Sequence, residues 1–270
     1  MGTKGKSSAK LLLADYYHWL EALGLDWKRL WTGLKGLRRY WSGYRQVREL
    51  NFGSGESWKL RPSYPCLEDY YGPSGVASGH YFHQDLHVAQ RIFLKCPVKH
   101  LDVGSRVDGF VAHVASFREI EFMDLQPVNF RIPNIRFHCC DLLNLSPNYW
   151  EFCDSLSCLH VLEHIGLGRY GDRIVLNGYI PAFENLVRML KTGGTLYLSV
   201  PFGSPVIEYN AHRIFDLRTI RELIEKHLTI TEFSLVNDAG ELETKANLRE
   251  VAEHSTNYCY ALAIFESEKR

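Results

Sequence analysis

Apolar residues recur along this chain in two rhythms separated by a stretch with none. From Lys10 to Val47 they fall at helical spacing: Leu13, Tyr16, Tyr17, Leu20 and Leu23, then Trp27, Leu30, Trp31, Leu34, Leu37, Trp41, Tyr44 and Val47. That spacing predicts two helices broken near Gly24, preceded by a small, polar and disordered stretch over residues 1–9. Residues 51–79, rich in Gly, Ser and Pro, predict a connecting loop. From Tyr81 the rhythm changes to short apolar runs alternating with helical ones. The expected elements are a helix over 81–95, strands ending at Asp102 and Asp124, and strands over 135–140 and 153–159. A helix over 178–190, a Gly193-Gly194 turn and a strand over 195–200 come next. A loop to Phe215, a helix over 216–227 with Asp216 as its N-cap, a strand over 230–236, an acidic and partly helical excursion and a strand over 258–265 complete the series. This order predicts a mainly parallel sheet with helices on both faces, and a ligand beyond the carboxyl ends of the strands. Asp102, Asp124, Asp141, His160 and the loop after Val200 are expected to converge there.

Length narrows the organisation further. At 270 residues the chain suits one large α/β domain with an appendage: residues 1–50 as a basic, Trp-rich helical extension, 51–79 as a linker loop and 80–270 as the main α/β domain. Charge sums to zero, but residues 1–62 hold 12 Lys and Arg against 5 Asp and Glu, and no acidic residue lies between Trp27 and Arg48. A basic helix carrying tryptophans suits an anionic membrane surface or a phosphate-bearing partner, so residues 27–48 carry the expectation of a peripheral membrane contact. The alternative is that the aromatics are core and the basic residues a solvated face. The acidic remainder weighs against nucleic acid as a partner, because such binding rests on neutralising phosphates. The seven cysteines show no C-x-x-C spacing, and Cys139, Cys140, Cys158 and Cys259 sit in apolar runs, which predicts reduced core thiols. With no secretory leader pattern and no window of about 18 apolar residues, a cytoplasmic location is expected.

Candidate chemistry begins at the stretch from Val98 to Phe110, where an apolar strand ends in Asp102 and runs into Gly104. A glycine there lets the backbone turn sharply and approach a ligand closely, and Val111, Val114, Ala115 and Phe117 fit the apolar face of a helix expected to follow it. Asp102 and Asp108 would repel a pyrophosphate, whereas S-adenosylmethionine, with its sulfonium and ammonium groups, suits an acidic loop. Asp124 lies about 20 residues further on, where such folds place the carboxylate that holds ribose hydroxyls.

Over residues 80–265 the chain resembles the class I S-adenosylmethionine-dependent methyltransferases, and more narrowly the domain-of-unknown-function 268 group of bacterial and nematode proteins. The strings that carry the resemblance are Tyr81-Phe-His-Gln-Asp-Leu86, Asp102-Val-Gly-Ser-Arg-Val-Asp-Gly-Phe110, the run from Ser157 through His160, Glu163 and His164 to Asp172, the run from Leu190 to Pro201, and Asn210-Ala-His-Arg213. The resemblance implies a Rossmann-like doubly wound fold whose seven-stranded sheet ends in an antiparallel strand. It implies Asp102, Gly104, Ser105 and Arg106 around the methionine moiety, Asp124 and Leu125 at the ribose, Asp141 and Leu142 at the adenine, and Leu159 and His160 near the reacting methyl. One departure stands out: Arg106 occupies a place where the wider superfamily favours glycine, and its side chain there would crowd or pair with the methionine carboxylate.

Methyl transfer needs a positioned nucleophile and a route for its proton. His164 is the expected general base, His212 the second candidate, and Glu163 the group that orients the imidazole; Tyr170 and Arg213 are candidates to touch the acceptor. His160-x-x-Glu163-His164 with His212 also resembles the divalent-metal quartet of small-RNA 2′-O-methyltransferases, which raises a metal ion as a further expectation. The favoured reading is an O-methyltransferase acting on a sugar hydroxyl of a nucleotide sugar or glycan in polysaccharide biosynthesis. Its rivals are a catalytically silent interaction module with the same fold and a metal-assisted RNA 2′-O-methyltransferase.

Overall fold

The computed structural model of the protein describes residues 16–53 and 58–270, so the expectation for residues 1–9 and the position of Leu13 lie outside the described residues. The chain falls into two units, the first ending at Val76 and the second starting at Ala77.

In the first unit a short helix over 16–22 (α1) stops at Gly24, whose φ of +86° only glycine adopts without strain. Asp26 then starts the long helix α2 (Trp27–Gly53) by accepting the Arg29 backbone N–H at 2.9 Å. Glycines inside that helix have a packing reason. A Cβ on Gly36 would collide with the Leu67 carbonyl oxygen, so the returning segment crosses where a side chain is missing. Arg39 closes the same crossing with its guanidinium 3.1 Å from the centre of the Tyr70 ring. Trp27, Leu30, Trp31, Leu34 and Trp41 are all exposed, so the apolar stripe of the helix is not core.

In the second unit α3 (His80–Lys95) precedes β1 (His100–Val103), β2 (Ile120–Asp124), β3 (Ile135–Cys139) and β4 (Cys153–Leu159), with a four-residue helix α4 (Ala112–Ala115) between the first two strands. Then follow α5 (Tyr179–Met189), β5 (Leu190–Phe202), the short β6 (Val206–Glu208) and β7 (His212–Ile214), α6 (Leu217–Glu225), β8 (Leu228–Val236), β9 (Leu242–Glu243), α7 (Leu248–Glu253) and β10 (Ala261–Lys269). The sheet order is β3-β2-β1-β4-β5-β10-β8-β9. Neighbours from β3 to β5 pair in parallel, and β10 runs antiparallel to both β5 and β8. Strand alternation divides the core between two faces. Leu101, Leu156, Leu196 and Leu198 pack with Phe183 and Leu186 of α5 and Ile220 and Ile224 of α6. Tyr197, Phe122 and Ile264 face the other way, against Val88 and Ile92 of α3 and Phe110 and Val114. This is the doubly wound arrangement, and the order reverses between β1 and β4.

Three local differences from the sequence expectations have physical causes. The sheet holds eight strands because the two-residue β9 adds to its edge by pairing with the end of β8. The stretch expected as a loop after Val200 holds a separate β6–β7 hairpin, whose three-residue strands are too short to show an apolar alternation. The helix expected after Gly104 is a wide turn over Val107–Val111, bent at Gly109 (φ −121°, ψ −107°), that leads into α4. Of the four thiols expected in the core only Cys158 is buried; Cys153 joins it, while Cys139 and Cys259 are exposed, and all seven cysteines are unpaired. No helix among the described residues is long and apolar enough to cross a membrane.

Candidate cofactor and catalytic site

Beyond the carboxyl ends of β1, β2 and β4 lies a cavity of about 410 Å³. Gly104 turns the chain out of β1 with φ +73°, and a Cβ there would stand 2.9 and 3.0 Å from the two methyl groups of Val161. Its N–H donates to the Met123 carbonyl at 2.8 Å, tying the loop to β2. Ser105 and Arg106 line the cavity with it, but Asp102 does not. Period-two alternation sends Leu101 and Val103 to one core face and buries Asp102 on the other. There its carboxylate accepts from the Ser105 N–H (3.1 Å), the Ser105 hydroxyl (2.8 Å) and the Ser157 hydroxyl (2.5 Å). Burial raises its pKa from 3.8 to about 7, with these hydrogen bonds pulling the other way. Asp102 therefore builds the loop instead of touching what the loop holds. Arg106 turns outward, its guanidinium paired with the Asp108 carboxylate at 2.8 and 3.1 Å, so it does not fill the cavity as its position suggested.

The two other acids do line the cavity. Asp124 accepts the Gln126 N–H at 2.7 Å and Asp141 the Leu143 N–H at 2.8 Å, each through Oδ1. Burial raises the pKa of Asp124. Leu125 and Leu142 flank these carboxylates on the wall, whereas Leu159 packs into the core on the α3 side.

Past β4 the chain turns at His160, whose φ is +58°. Its N–H is shared between the Ser199 carbonyl (3.2 Å) and hydroxyl (3.0 Å), and that hydroxyl donates to Gln84 Oε1 at 2.6 Å. The ring Nδ1 makes a short bond to Glu163 Oε1, and Nε2 lies 3.0 Å from His80 Nδ1. Burial alone would push the Glu163 carboxyl up, but the neighbouring His160 and His164 and the hydrogen bond from His160 hold it below the usual range. Glu163 is wholly buried, and its Oε2 has no partner among the described residues. His80 is driven down to about 4, first by burial and then by the proximity of His160, and is therefore neutral near pH 7. Carboxylate and two imidazoles thus form one hydrogen-bonded line from Glu163 to the start of α3, and the Tyr81 ring stacks on His160 at 5.0 Å.

His164 is held differently from the sequence expectation. Its Nδ1–H donates to the Ala211 carbonyl at 2.6 Å, so that carbonyl fixes the tautomer and leaves the Nε2 lone pair free. Glu163 stands 3.7 Å from that Nε2, too far to orient it, and grips His160 instead. Burial lowers the pKa of His164, which lines the cavity beside Tyr170. His212, also lowered by burial, sits behind it, its ring 6.3 Å from that of His164 and 5.0 Å from that of Tyr260. Arg213 does not reach for an acceptor: it is buried and donates to the carbonyls of Glu163 (3.0 Å), Ile165 (2.8 Å) and Leu176 (2.7 Å). Asp172 supports the same loop by accepting the N–H groups of Gly166, Gly168 and Tyr170.

The quartet does not fit a metal ion. Both nitrogens of His160 and Nδ1 of His164 are spent on protein partners, and among the described residues no group of three or more His, Cys, Asp or Glu is arranged to hold one. Sequence reasoning missed His80, Gln84 and Ser199. Gln84 carried a usable signal, being a polar residue among the apolar positions of α3 that face the core.

This cavity at the switch point of a doubly wound sheet defines a Rossmann-like α/β domain. The [4+2]-cyclase SpnF has a similar structure (TM-score 0.52, 17% identity, covering 74% of this chain and 90% of its own). The N-methyltransferase NodS from Bradyrhizobium japonicum aligns at TM-score 0.48 and 14% identity, over 71% of this chain and 88% of its own. The 1,6-didemethyltoxoflavin N1-methyltransferase from Burkholderia thailandensis aligns at 0.48 and 14%, over 69% and 79%. No curated protein matches the chain in sequence. Residues 113–263, more than half of the chain, match the family described as Caenorhabditis protein of unknown function, DUF268, and the chain belongs to that family.

Proposed function

We propose that the protein binds S-adenosylmethionine in this cavity and transfers its methyl group to a hydroxyl, with a sugar of a nucleotide sugar or glycan as the acceptor class. The observation that carries the reading is the cavity wall itself. Gly104 makes the sharp turn at the cavity's edge, packed against Val161, and Asp124 and Asp141 each present a carboxylate to the cavity at the ends of successive strands. Such carboxylates suit ribose hydroxyls and an adenine amino group, and the outward turn of Arg106 leaves the loop open to an amino-acid moiety. When bound, the cofactor supplies a methyl group on a positively charged sulfur. The chain's own contribution is then to position the acceptor and take its proton. His164 suits the role of proton acceptor, since its free Nε2 borders the cavity and its tautomer is set from behind by Ala211. Similar structures described as N-methyltransferases support methyl transfer in general, and the sugar hydroxyl is the narrower part of the proposal.

Calorimetry with S-adenosylmethionine and S-adenosylhomocysteine tests the first half. Asp124→Ala is expected to weaken binding by about 1.5–3 kcal/mol, the range for a hydrogen bond to a charged group. Wild-type protein that binds neither compound would return the chain to the silent-module reading. For the second half, nucleotide sugars and lipid-linked glycans are screened for transfer of labelled methyl.

A further inference from the structure

The first unit holds five of the chain's six tryptophans, Trp19, Trp27, Trp31, Trp41 and Trp58, and all five are exposed. Free tryptophan surface is unusual, because the indole is large and apolar and carries a single polar N–H. Four residues of α2 order it. Leu30, Trp31 and Leu34 stand three, four and seven residues beyond Trp27, which places the four on one face, and Trp41 continues that face two turns later. The Leu67 crossing over Gly33 and Gly36 occupies the other side of the helix. Basic residues border the apolar face without any acidic counterweight from Trp27 to Arg48. Lys28 and Lys35 lie along one margin, with the Lys35 ammonium 5.5 Å from the Trp31 ring, and Arg38 and Arg45 prolong the line of Trp31 at seven-residue steps.

We propose that this face of α2 docks on an anionic lipid surface, lying in the plane of the headgroups. Charge complementarity selects that occupant. Indole rings favour the headgroup boundary, where the ring is shielded and the N–H stays wet, and an unopposed basic margin attracts acidic phospholipids. A purely apolar protein partner would leave Lys35, Arg38, Arg45 and Arg48 without a role in binding, whereas Arg29 already pairs with Glu68 at 3.6 Å and Arg39 already lies on the Tyr70 ring. The inference rests on the first unit alone and stands whether or not the second unit transfers methyl groups.

The full-length chain is sedimented with phosphatidylcholine vesicles that contain or lack phosphatidylglycerol, with tryptophan fluorescence read in parallel. Binding to the anionic vesicles alone, weakened by salt and accompanied by a blue shift, is expected. The triple variant Lys35→Glu, Arg38→Glu, Arg45→Glu is expected to lower partitioning at least about a hundredfold, since each basic residue near such a surface contributes about a fivefold factor. Trp31→Ala with Leu34→Ala is expected to lose the blue shift, and circular dichroism reports whether each variant keeps its helix. Failure of wild-type protein to bind anionic vesicles, equal binding to neutral ones, or undiminished binding by a folded charge variant would overturn the proposal. So would sedimentation velocity showing a dimer that Trp31→Ala with Leu34→Ala dissociates, since a second copy would then cover the face. The wild-type dependence on lipid charge and salt needs no variant, so it decides the question even where a substitution unfolds the unit.

Discussion

Asp102 makes the stability of this domain depend on pH in a direction opposite to that of most carboxylates. Its side chain is wholly buried beneath the glycine loop, and burial raises its pKa from 3.8 to about 7. Between those two values the unfolded chain has released the proton and the folded chain still holds it. Stability is therefore fully present below about pH 4 and is lost as pH rises through 7. The full contribution is about 4 kcal/mol at 1.36 kcal/mol per pH unit, of which about 3 kcal/mol falls between pH 4.5 and 7.5. Asp102→Asn cannot titrate. Urea unfolding of both proteins across that range should show the wild type losing about 3 kcal/mol relative to the variant. Whatever constant penalty the amide incurs against the three donors from Ser105 and Ser157 appears as an offset and leaves the slope intact. Asp85, raised by burial to about 6, and the depressed histidines His80, His100, His164 and His212 titrate in both proteins and largely cancel in the difference. A difference that stays flat from pH 4.5 to 7.5 would mean that Asp102 is ionised throughout and that its three hydrogen bonds outweigh its burial.

Gly104→Ala should lower the melting temperature and weaken S-adenosylhomocysteine binding more than tenfold, because a left-handed alanine costs about 1–2 kcal/mol before Val161 is displaced; calorimetry finding wild-type affinity would show that the loop does not approach a ligand. Arg213→Met should cost about 3 kcal/mol in urea unfolding by leaving three carbonyls without their donor, and Arg213→Lys should recover little of it. His164→Ala should reduce turnover by about 10² to 10⁴ with donor affinity unchanged, and the acid limb of the wild-type rate profile should lie below the ordinary histidine value of 6.5, since burial depresses this imidazole. Turnover should persist in excess chelator on protein shown by elemental analysis to hold no metal; restoration by Mn²⁺ after a loss would contradict the spent nitrogens of His160 and His164.

What the sequence disclosed and what it hid divide along physical lines. Strands β1, β2 and β4 were legible from their short clusters of apolar residues, Leu101 and Val103, Ile120, Phe122 and Met123, and Leu156, Cys158 and Leu159, although His100, Glu121 and Ser157 share their buried positions. Asp216 was legible as a cap because it bonds its own neighbour, the Arg218 N–H. Asp124 and Asp141 were placed by their positions at strand ends. Hidden were contacts that join distant segments: His80 meets His160 across 80 residues, and Ala211, not the adjacent Glu163, fixes His164. The facing of Asp102 was hidden for another reason. A strand's last acid reads as pointing at a ligand until the hydroxyls of Ser105 and Ser157 are known to cover it.

The place of β10 in the sheet sets an order on the birth of the domain. It is the last strand in the sequence, yet it lies between β5 and β8 and hydrogen-bonds both along their length. While a ribosome extends the chain, the five parallel strands can assemble, but β5 then ends in an open edge and β8 lacks the neighbour that joins it to them. Open edges of this kind are where chains pair with one another. A ribosome stalled before Ala261 would therefore leave two adhesive borders, with a helical face already exposed at the other end of the chain. The final strand acts as the latch, and the interval before it arrives is when this protein most needs a chaperone.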